Sequence, residues 1–589
     1  MGLLLRVESK GQLEARSRGP PCIELVTVSA KPTPQADLDR AVAELRTGAQ
    51  ELARLGPASR AELVRTCLAS VRPMMAEWSR LGLAAKRLPA DSAEEWLAGP
   101  LPTVLQLRLL ADSLDRIAVR GRPEFGTGVR QRDDGRLEVA VFPASNLDRV
   151  LAGGLSAYVL LQAGVDRDAA LEAQAALYDR SDPDLGVALV LGAGNVSSIP
   201  TTDVLTQVFN EGRVYLLKMN PVNEWFGPLL VRALQPLVNA GFLRVVYGGA
   251  DVGQYLAAHP GIDWIHVTGS AATHDQLLWG PPGPDHDRRR SGELPPLIGV
   301  PISAELGNIT PVAIVPDSYR LEELAFQARS IATMVTNNAS FNCASAKMLV
   351  TANGWKQRGA FLDLLMRFLA DTPTRYAYYP GAQERYRRLT SGREMRSVGD
   401  PGTGELPWSL IPELDPAATD DPLFHLEPFC SVVSEVSVGS PDPAEFLDSA
   451  TGFMNDVLWG TLCAGIVIAP RLERDRAVAA ALDRAVTDLR YGNVAINAWP
   501  AVNSSIVSLP WGGYDDVTSQ VTQSGSGFVR NTLMLGKIDK GVVRAGLTAR
   551  PTPPWFTDNP KGGRVAPGLV DFQVQPSWRS LPRLIARMT

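Results

Sequence analysis

Cys343 stands in the run Thr336-Asn337-Asn338-Ala339-Ser340-Phe341-Asn342-Cys343-Ala344-Ser345-Ala346-Lys347, and Glu305 lies upstream in Ala304-Glu305-Leu306-Gly307-Asn308. The pair reads as a thiol nucleophile with a carboxylate base. A third element precedes them both: the apolar run Val187-Ala188-Leu189-Val190-Leu191 leads into Gly192-Ala193-Gly194-Asn195-Val196-Ser197 and a helix beginning near Pro200. A strand, a glycine turn and a helix make a cradle for a dinucleotide, because glycines let backbone amides approach a pyrophosphate. A thiol, a base and a bound nicotinamide together point to aldehyde chemistry.

The glycine turn departs from the Gly-x-Gly-x-x-Gly pattern. Ser197 replaces the third glycine, and no acidic residue ends the following strand to hold a ribose. That strand, Arg213 to Leu217, delivers Lys218 instead, a cation placed where adenosine ribose hydroxyls or a 2′-phosphate would lie. A lysine there implies a different dinucleotide geometry.

The elements that must position these residues follow from periodicity. Residues 1–35 read as an N-terminal extension. Leu38, Val42, Leu45, Leu52 and Leu55, then Leu63, Val64, Leu68 and Val71, recur at helical intervals, so helices fill the stretch to about Val119, with interruptions near Gly82 and Pro100-Leu101-Pro102. Asp133-Asp134-Gly135 is a turn signal, and Leu137 to Phe142 alternates after it, which predicts a hairpin over 123–147.

Strand-like and helical runs then alternate. The strands are Ala157 to Leu161, Gly186 to Leu191, Arg213 to Lys218, Leu243 to Tyr247 and Trp264 to Thr268. This order predicts an α/β fold with a parallel, doubly wound, Rossmann-type sheet that binds a nucleotide at its strand carboxyl ends. A second series over 311–500, with strands at Pro311 to Val315, Lys347 to Val350, Ser431 to Val436 and Gly465 to Ala469, predicts a second sheet. The division expected is a dinucleotide-binding domain over 36–305, a catalytic domain over 306–510, and a C-terminal segment with a proline-rich tail over 511–589. The charged stretch Gly280 to Gly292 reads as a solvated loop without regular structure. The basic apolar stretch Trp578 to Met588 reads as packed against the body or a partner subunit.

Composition narrows the function classes. With 58 basic and 63 acidic residues the surface is balanced, and nothing recruits nucleic acid. Five scattered cysteines (Cys22, Cys67, Cys343, Cys430 and Cys463) suit neither a disulfide framework nor a zinc site. The five histidines lack metal-ligand spacing, so no metal is expected, and His266 reads as a satisfied core residue. No stretch approaches the roughly 18 apolar residues of a membrane span, and a cytoplasmic protein is the expectation.

The order of signals from about Arg149 to Leu535 resembles the aldehyde dehydrogenase superfamily. The family's catalytic asparagine resembles Asn195, its adenosine-ribose lysine Lys218, and its Thr-Gly-Ser turn Thr268-Gly269-Ser270. Its Glu-Leu-Gly-Gly motif resembles Glu305-Leu306-Gly307-Asn308, its nucleophile Cys343, its nicotinamide-ribose glutamate Glu427 in Glu427-Pro428-Phe429, and its Pro-Phe-Gly-Gly run Pro510-Trp511-Gly512-Gly513. The turn Gly192-Ala193-Gly194-Asn195-Val196 is similar to that of the fatty-acyl reductase branch.

The resemblance implies an NAD- or NADP-dependent enzyme in which the Cys343 thiolate attacks a carbonyl. Asn195 and the Cys343 backbone N–H would hold the oxyanion, hydride would pass to the nicotinamide, and Glu305 would activate water on the resulting thioester. It also implies a homo-oligomer, with the hairpin and the tail in the subunit contacts. The substrate is then a small-molecule aldehyde; the alternatives are an acyl-CoA or other acyl thioester reduced to an aldehyde, and a member that binds a dinucleotide without turnover. Three departures bear on the site. Ser340 and Phe341 stand where the family has glycine and glutamine, so Phe341 would narrow the substrate tunnel. Asn308 replaces a glycine. Pro221 stands where many members carry a ribose-binding carboxylate, which leans the cofactor choice toward NADP.

Overall fold

The computed structural model describes residues 30–180, 186–514 and 523–588. Cys22 and most of the N-terminal extension lie outside them.

Five helices open the chain: α1 (Gln35–Arg54), α2 (Pro57–Val71), α3 (Met75–Ala85), α4 (Glu94–Ala98) and α5 (Pro100–Arg120). On α1 the residues Leu38, Val42, Leu45, Ala49 and Leu52 fall on one face and are buried, as a 3.6-residue period requires. The interruption expected near Pro100 is present: α4 ends at Ala98, Gly99 separates the two helices, and the prolines occupy the first turn of α5, where a missing N–H leaves nothing unsatisfied. Gly82, by contrast, lies inside α3, and its role is to make room: a Cβ there would sit 2.3 Å from a Glu95 carboxylate oxygen.

The predicted hairpin is present as β1 (Gly128–Gln131) and β2 (Leu137–Phe142), antiparallel, with Gln131 opposite Leu137. The short helix α6 (Asn146–Leu151) leads to β3 (Ser156–Leu161). Here the structure differs from the sequence reading, which counted 157–161 as the first strand of the parallel series. Instead β3 pairs antiparallel with β2 on one side and with strand 538–544 on the other.

The parallel sheet begins after α7 (Arg167–Ala173) with β4 (Val187–Leu191), followed by α8 (Ile199–Phe209), β5 (Val214–Lys218), α9 (Gly227–Ala233), α10 (Gln235–Asn239), β6 (Leu243–Val246), α11 (Ala250–Ala257), β7 (Trp264–Thr268), α12 (Ala271–Trp279), α13 (Pro284–Arg290) and β8 (Ile302–Glu305). Its order is β6-β5-β4-β7-β8, all parallel. The direction of strand addition reverses between β4 and β7, so a crevice opens at their carboxyl ends. Helix α13 corrects the loop expected over 280–292: Pro284 opens it, Asp285 and Asp287 lie in its first turn and Arg288 to Arg290 in its last, each complementing the helix dipole.

Glu305 ends this sheet, and five residues later β9 (Thr310–Ile314) starts in the other one. After helix α14 (Leu321–Thr336) and β10 (Ala346–Ala352), the strands 432–438, 463–467 and 493–496 complete its parallel centre. Strand 538–544 joins 493–496 in parallel and pairs antiparallel with β3, so one sheet of eleven strands runs from β1 to strand 396–398. Each sheet has its own apolar core. The tail packs on the body as expected: Val570 joins the core that includes α5, and Phe572, Leu581 and Leu584 cluster with Leu147 and Leu151.

Candidate active site

The crevice at the switch point is a cleft of about 440 Å³. Lys218 at the end of β5, the Thr268-Gly269-Ser270 turn after β7, and Tyr379 and Arg385 from the far side line it. Ser270 caps α12 by accepting from the Thr273 N–H, and the Gly269 N–H donates to Glu305 O at 3.0 Å, which ties the turn to the end of β8. Gly194 in the first turn has no room for a side chain, since a Cβ would lie 2.6 Å from Asn220 Oδ1. Among the described residues the Lys218 ammonium has no hydrogen-bond or ion-pair partner, while its carbonyl accepts from the Gly192 N–H at 3.1 Å. Burial lowers its pKa, and Glu224 and Asp251 partly restore it. Glu224 and Asp251 thus act on Lys218 with carboxylate charge that Pro221 cannot supply.

Cys343 is reached through a tight turn after α14 in which Asn338, Ala339 and Ser340 all have left-handed backbones, with φ of 54°, 54° and 71°. Non-glycine residues persist there only when their surroundings hold them. The holds are visible. Asn338 Nδ2 donates to Phe341 O at 3.0 Å and to Asn342 Oδ1 at 3.1 Å, while the buried Lys347 ammonium donates to Ser340 O at 3.1 Å and Cys430 O at 2.7 Å. Thr310 Oγ1 donates to Cys343 O at 2.9 Å, and Trp499 Nε1 to Ala344 O at 2.7 Å.

The structure brings Cys343 and Glu305 together: the thiol donates to Glu305 Oε1 at 3.4 Å. Burial, with Glu305 next in order, pushes the Cys343 thiol well above its ordinary range, so the resting form is S–H. Glu305 is raised by burial too, although Trp511, Arg530 and Cys343 draw it back, and its Oε2 has no partner among the described residues. Proton and base are thus poised on one hydrogen bond.

Asn195 comes to the same place. Its Nδ2 donates to Phe341 O at 3.0 Å, two residues from Cys343, and its second N–H has no partner among the described residues. Glu427 folds over Gly307, where a Cβ would lie 2.3 Å from Glu427 Oε2, and the Asn308 backbone N–H supports it. Burial raises Glu427 to about 7, and its Oε1 has no partner among the described residues. Phe429 packs against Phe341 and Tyr379 at centroid distances of 5.6 and 4.9 Å. Phe341 is fully buried in this aromatic cluster, so it backs the cleft wall instead of narrowing a tunnel. His266 is the core residue expected, 2.9 Å from Ser303 Oγ and lowered to about 4 by burial. Among the described residues no group of side chains could hold a metal ion.

Several residues here were not visible in the sequence. Asn308, fully buried, donates to Thr310 Oγ1 at 2.9 Å and to Cys463 O at 2.8 Å. Arg530 is buried beside this site, with its guanidinium 5.8 Å from the Trp511 ring centre, and donates to Ser504 O. Lys86, Glu94 and Glu95 reach the site from the helical layer. For Asn308 the only available signal was its departure from glycine.

Comparison with known proteins agrees with this geometry. Residues 163–356 match the model of the aldehyde dehydrogenase family. No curated protein sequence matches the chain. Among solved structures, an NADP-dependent glyceraldehyde-3-phosphate dehydrogenase from Bacillus halodurans C-125, complexed with NADP, is similar at a TM-score of 0.58 and 17% identity, covering 87% of this chain and 91% of that one. Aldehyde dehydrogenase C from Pseudomonas syringae, complexed with NAD+ and octanal, is similar at 0.58 and 16%, covering 88% and 90%. An NAD-dependent aldehyde dehydrogenase from Sinorhizobium meliloti is similar at 0.56 and 19%, covering 89% of each chain.

Proposed function

We propose that this chain, of which residues 163–356 match the model of the aldehyde dehydrogenase family, oxidises an aldehyde to a carboxylic acid with NAD or NADP, through a thioester on Cys343. The observation that carries the reading is the Cys343 Sγ to Glu305 Oε1 hydrogen bond of 3.4 Å beside the dinucleotide crevice. Lys218 brings to the crevice an ammonium uncommitted among the described residues, and Glu427 Oε1, unpartnered among them beside Gly307, would accept from a ribose hydroxyl.

Glu305 takes the Cys343 proton along their hydrogen bond, and the sulfur attacks the aldehyde carbon. The oxyanion is held by the free N–H of Asn195 and by the Cys343 backbone N–H; a donor of this kind is worth about 3 to 4 kcal/mol. Bound nicotinamide supplies the hydride acceptor, and collapse of the oxyanion leaves a thioester. Glu305, once its proton is released, takes one from water; the hydroxide attacks the acyl carbon, the C–S bond breaks and the acid leaves.

A second reading, reduction of an acyl-CoA or similar thioester to an aldehyde, is supported by the Gly192-Ala193-Gly194-Asn195-Val196 turn. Absorbance at 340 nm separates the two: aldehyde with NAD+ or NADP+ in one direction, acyl-CoA with NADH or NADPH in the other, each with wild type and Cys343→Ala. Cys343-dependent signal with aldehyde and no CoA supports oxidation. Consumption only with acyl-CoA replaces it with reduction, and silence in both leaves a binding protein.

The proposed division is a dinucleotide-binding unit built on the five-stranded sheet within 36–305 and a catalytic unit over 306–510, with β1 to β3 and strand 538–544 joined to the sheet of the latter. No helix among the described residues is long and apolar enough to cross a membrane, and the reading adopted is a cytoplasmic homo-oligomer. The edge strand β1 supports subunit contact, since an unpaired strand edge is a ready template for another chain. Light scattering tests it, and a monomer would count against it.

A further inference from the structure

Glu94 and Glu95 are consecutive, both lie in α4, and both are buried, at 7% and 1% exposure. Adjacent helical positions point about 100° apart, so the two carboxylates serve different neighbours. Glu94 Oε2 accepts from the backbone N–H of Asn338 at 2.6 Å, in the left-handed turn that leads to Cys343, while its Oε1 accepts from Arg375 at 3.3 Å. Glu95 Oε1 accepts from the Lys86 ammonium at 2.5 Å and its Oε2 from Ser197 Oγ at 3.0 Å. Ser197 in turn accepts from Trp78 Nε1 at 2.8 Å.

Both arms converge on one atom. The carbonyl oxygen of Asn195 accepts from Lys86 Nζ at 2.7 Å, from Asn338 Nδ2 at 3.0 Å and from Tyr378 Oη at 3.2 Å. A carbonyl has two lone pairs, so three donors saturate it and fix the peptide that carries the Asn195 side chain. The local sequence accommodates this network. A Cβ at Gly82 would strike Glu95, and one at Gly99 would lie 2.8 Å from Trp78 Nε1. The serine that spoils the dinucleotide glycine pattern supplies the hydroxyl that Glu95 holds.

We infer that Glu94 and Glu95 form a two-armed positioning clamp, through which the helical layer holds the oxyanion donor Asn195 and the Cys343 turn in register. The inference rests on the roles proposed above for Asn195 and Cys343. Neither glutamate touches the reacting atoms. They act through Lys86 and Asn338, and a shift of about 1 Å at a reacting group is enough to lower turnover on the order of 100-fold.

The test uses the full chain. Glu94→Ala should lower kcat about 100-fold with KM and cofactor Kd within threefold, and Glu94→Gln, whose amide oxygen can still accept from Asn338, should recover at least tenfold of that loss. Glu95→Gln strands a buried ammonium and should lower both melting temperature and kcat. The double variant Lys86→Met/Glu95→Gln should regain the melting temperature, because it removes the unpaired charge, yet keep the low kcat, because Asn195 O has lost its donor. Recovery of kcat together with stability would overturn the clamp, as would kcat within threefold of wild type in Glu94→Ala. A wild type without turnover would sink the proposed function instead. The clamp is then judged by hydrogen exchange in peptides covering 336–343, expected to be at least fivefold faster in Glu94→Ala; an unchanged rate overturns it.

Discussion

The side-chain amide of Asn308 donates to the hydroxyl of Thr310 at 2.9 Å, and that hydroxyl donates to the carbonyl of Cys343. The same amide holds Cys463 O, and Asn308 Oδ1 accepts from the Leu462 N–H. A residue standing where the related motif has glycine thus joins β8 and β9 to the neighbouring 460–463 loop and, through one hydroxyl, to the candidate nucleophile. Asn308→Gly leaves buried acceptors unmet and a void in their place. The expected loss is about 2 to 4 kcal/mol of stability, with kcat reduced about tenfold; urea melts and steady-state kinetics check both. Stability within 0.5 kcal/mol of wild type would show that the asparagine is a passive filler.

Glu305 predicts a trade between function and stability whose sign follows from its burial. The folded protein raises its pKa above the ordinary 4.5, so at neutral pH the unfolded state releases that proton more readily and ionisation weakens the fold. The penalty is absent below the unfolded pKa and grows as pH rises through the folded one. Glu305→Gln should therefore raise the melting temperature at pH 7 while leaving it nearly unchanged at pH 4. It should also cut turnover about 100-fold or more and remove the acid limb of the pH profile, a limb that in wild type lies above the ordinary glutamate range. A variant melting lower than wild type at pH 7 would contradict this account.

The sequence carried the parallel sheet well, because β4, β5 and β7 are short apolar runs bounded by turns, and their order places Lys218 and Thr268 at one crevice. Cys343, Glu305 and Asn195 were legible as residues because their neighbours form short ordered motifs. What escaped was partnership at long range. Glu94 lies 244 residues from Asn338, and no local spacing announces such a contact. The direction of β3 was lost for a related reason: strand propensity is local, whereas one of the strands it pairs with, 538–544, lies far along the chain. Helix α13 was missed because its exposed charges read as a loop, although the acidic start and basic end were a helical signal.

Ser340 offers a clean measure of strain in the turn before Cys343. Its φ of 71° is costly for any residue with a Cβ, by about 1 to 2 kcal/mol. Its hydroxyl also accepts from Lys347 at 2.5 Å and meets Ser345 Oγ at 3.3 Å. Ser340→Ala and Ser340→Gly both lose those bonds and differ only in backbone freedom. The glycine variant should be the more stable of the two by about 1 kcal/mol. Equal stabilities in denaturant melts would mean that the turn relaxes once the hydroxyl is gone.

We expect Lys218 to choose between the two cofactors by the charges around it. A lone lysine would attract a 2′-phosphate, but Glu224 and Asp251 act on this ammonium, and their charge opposes a phosphate while suiting a ribose diol. Asp251 lies in the first turn of α11, directly after Gly249 and Ala250 of the cleft wall. The expected preference is for NAD over NADP, at least tenfold in kcat/KM for the cofactor. Asp251→Ser should narrow that ratio several-fold by improving NADP, with the NAD value within about twofold. Isothermal titration of each cofactor against both proteins reads the same difference without turnover. If NADP binds more tightly to the wild type, the two carboxylates are too distant to matter, and the lysine acts alone.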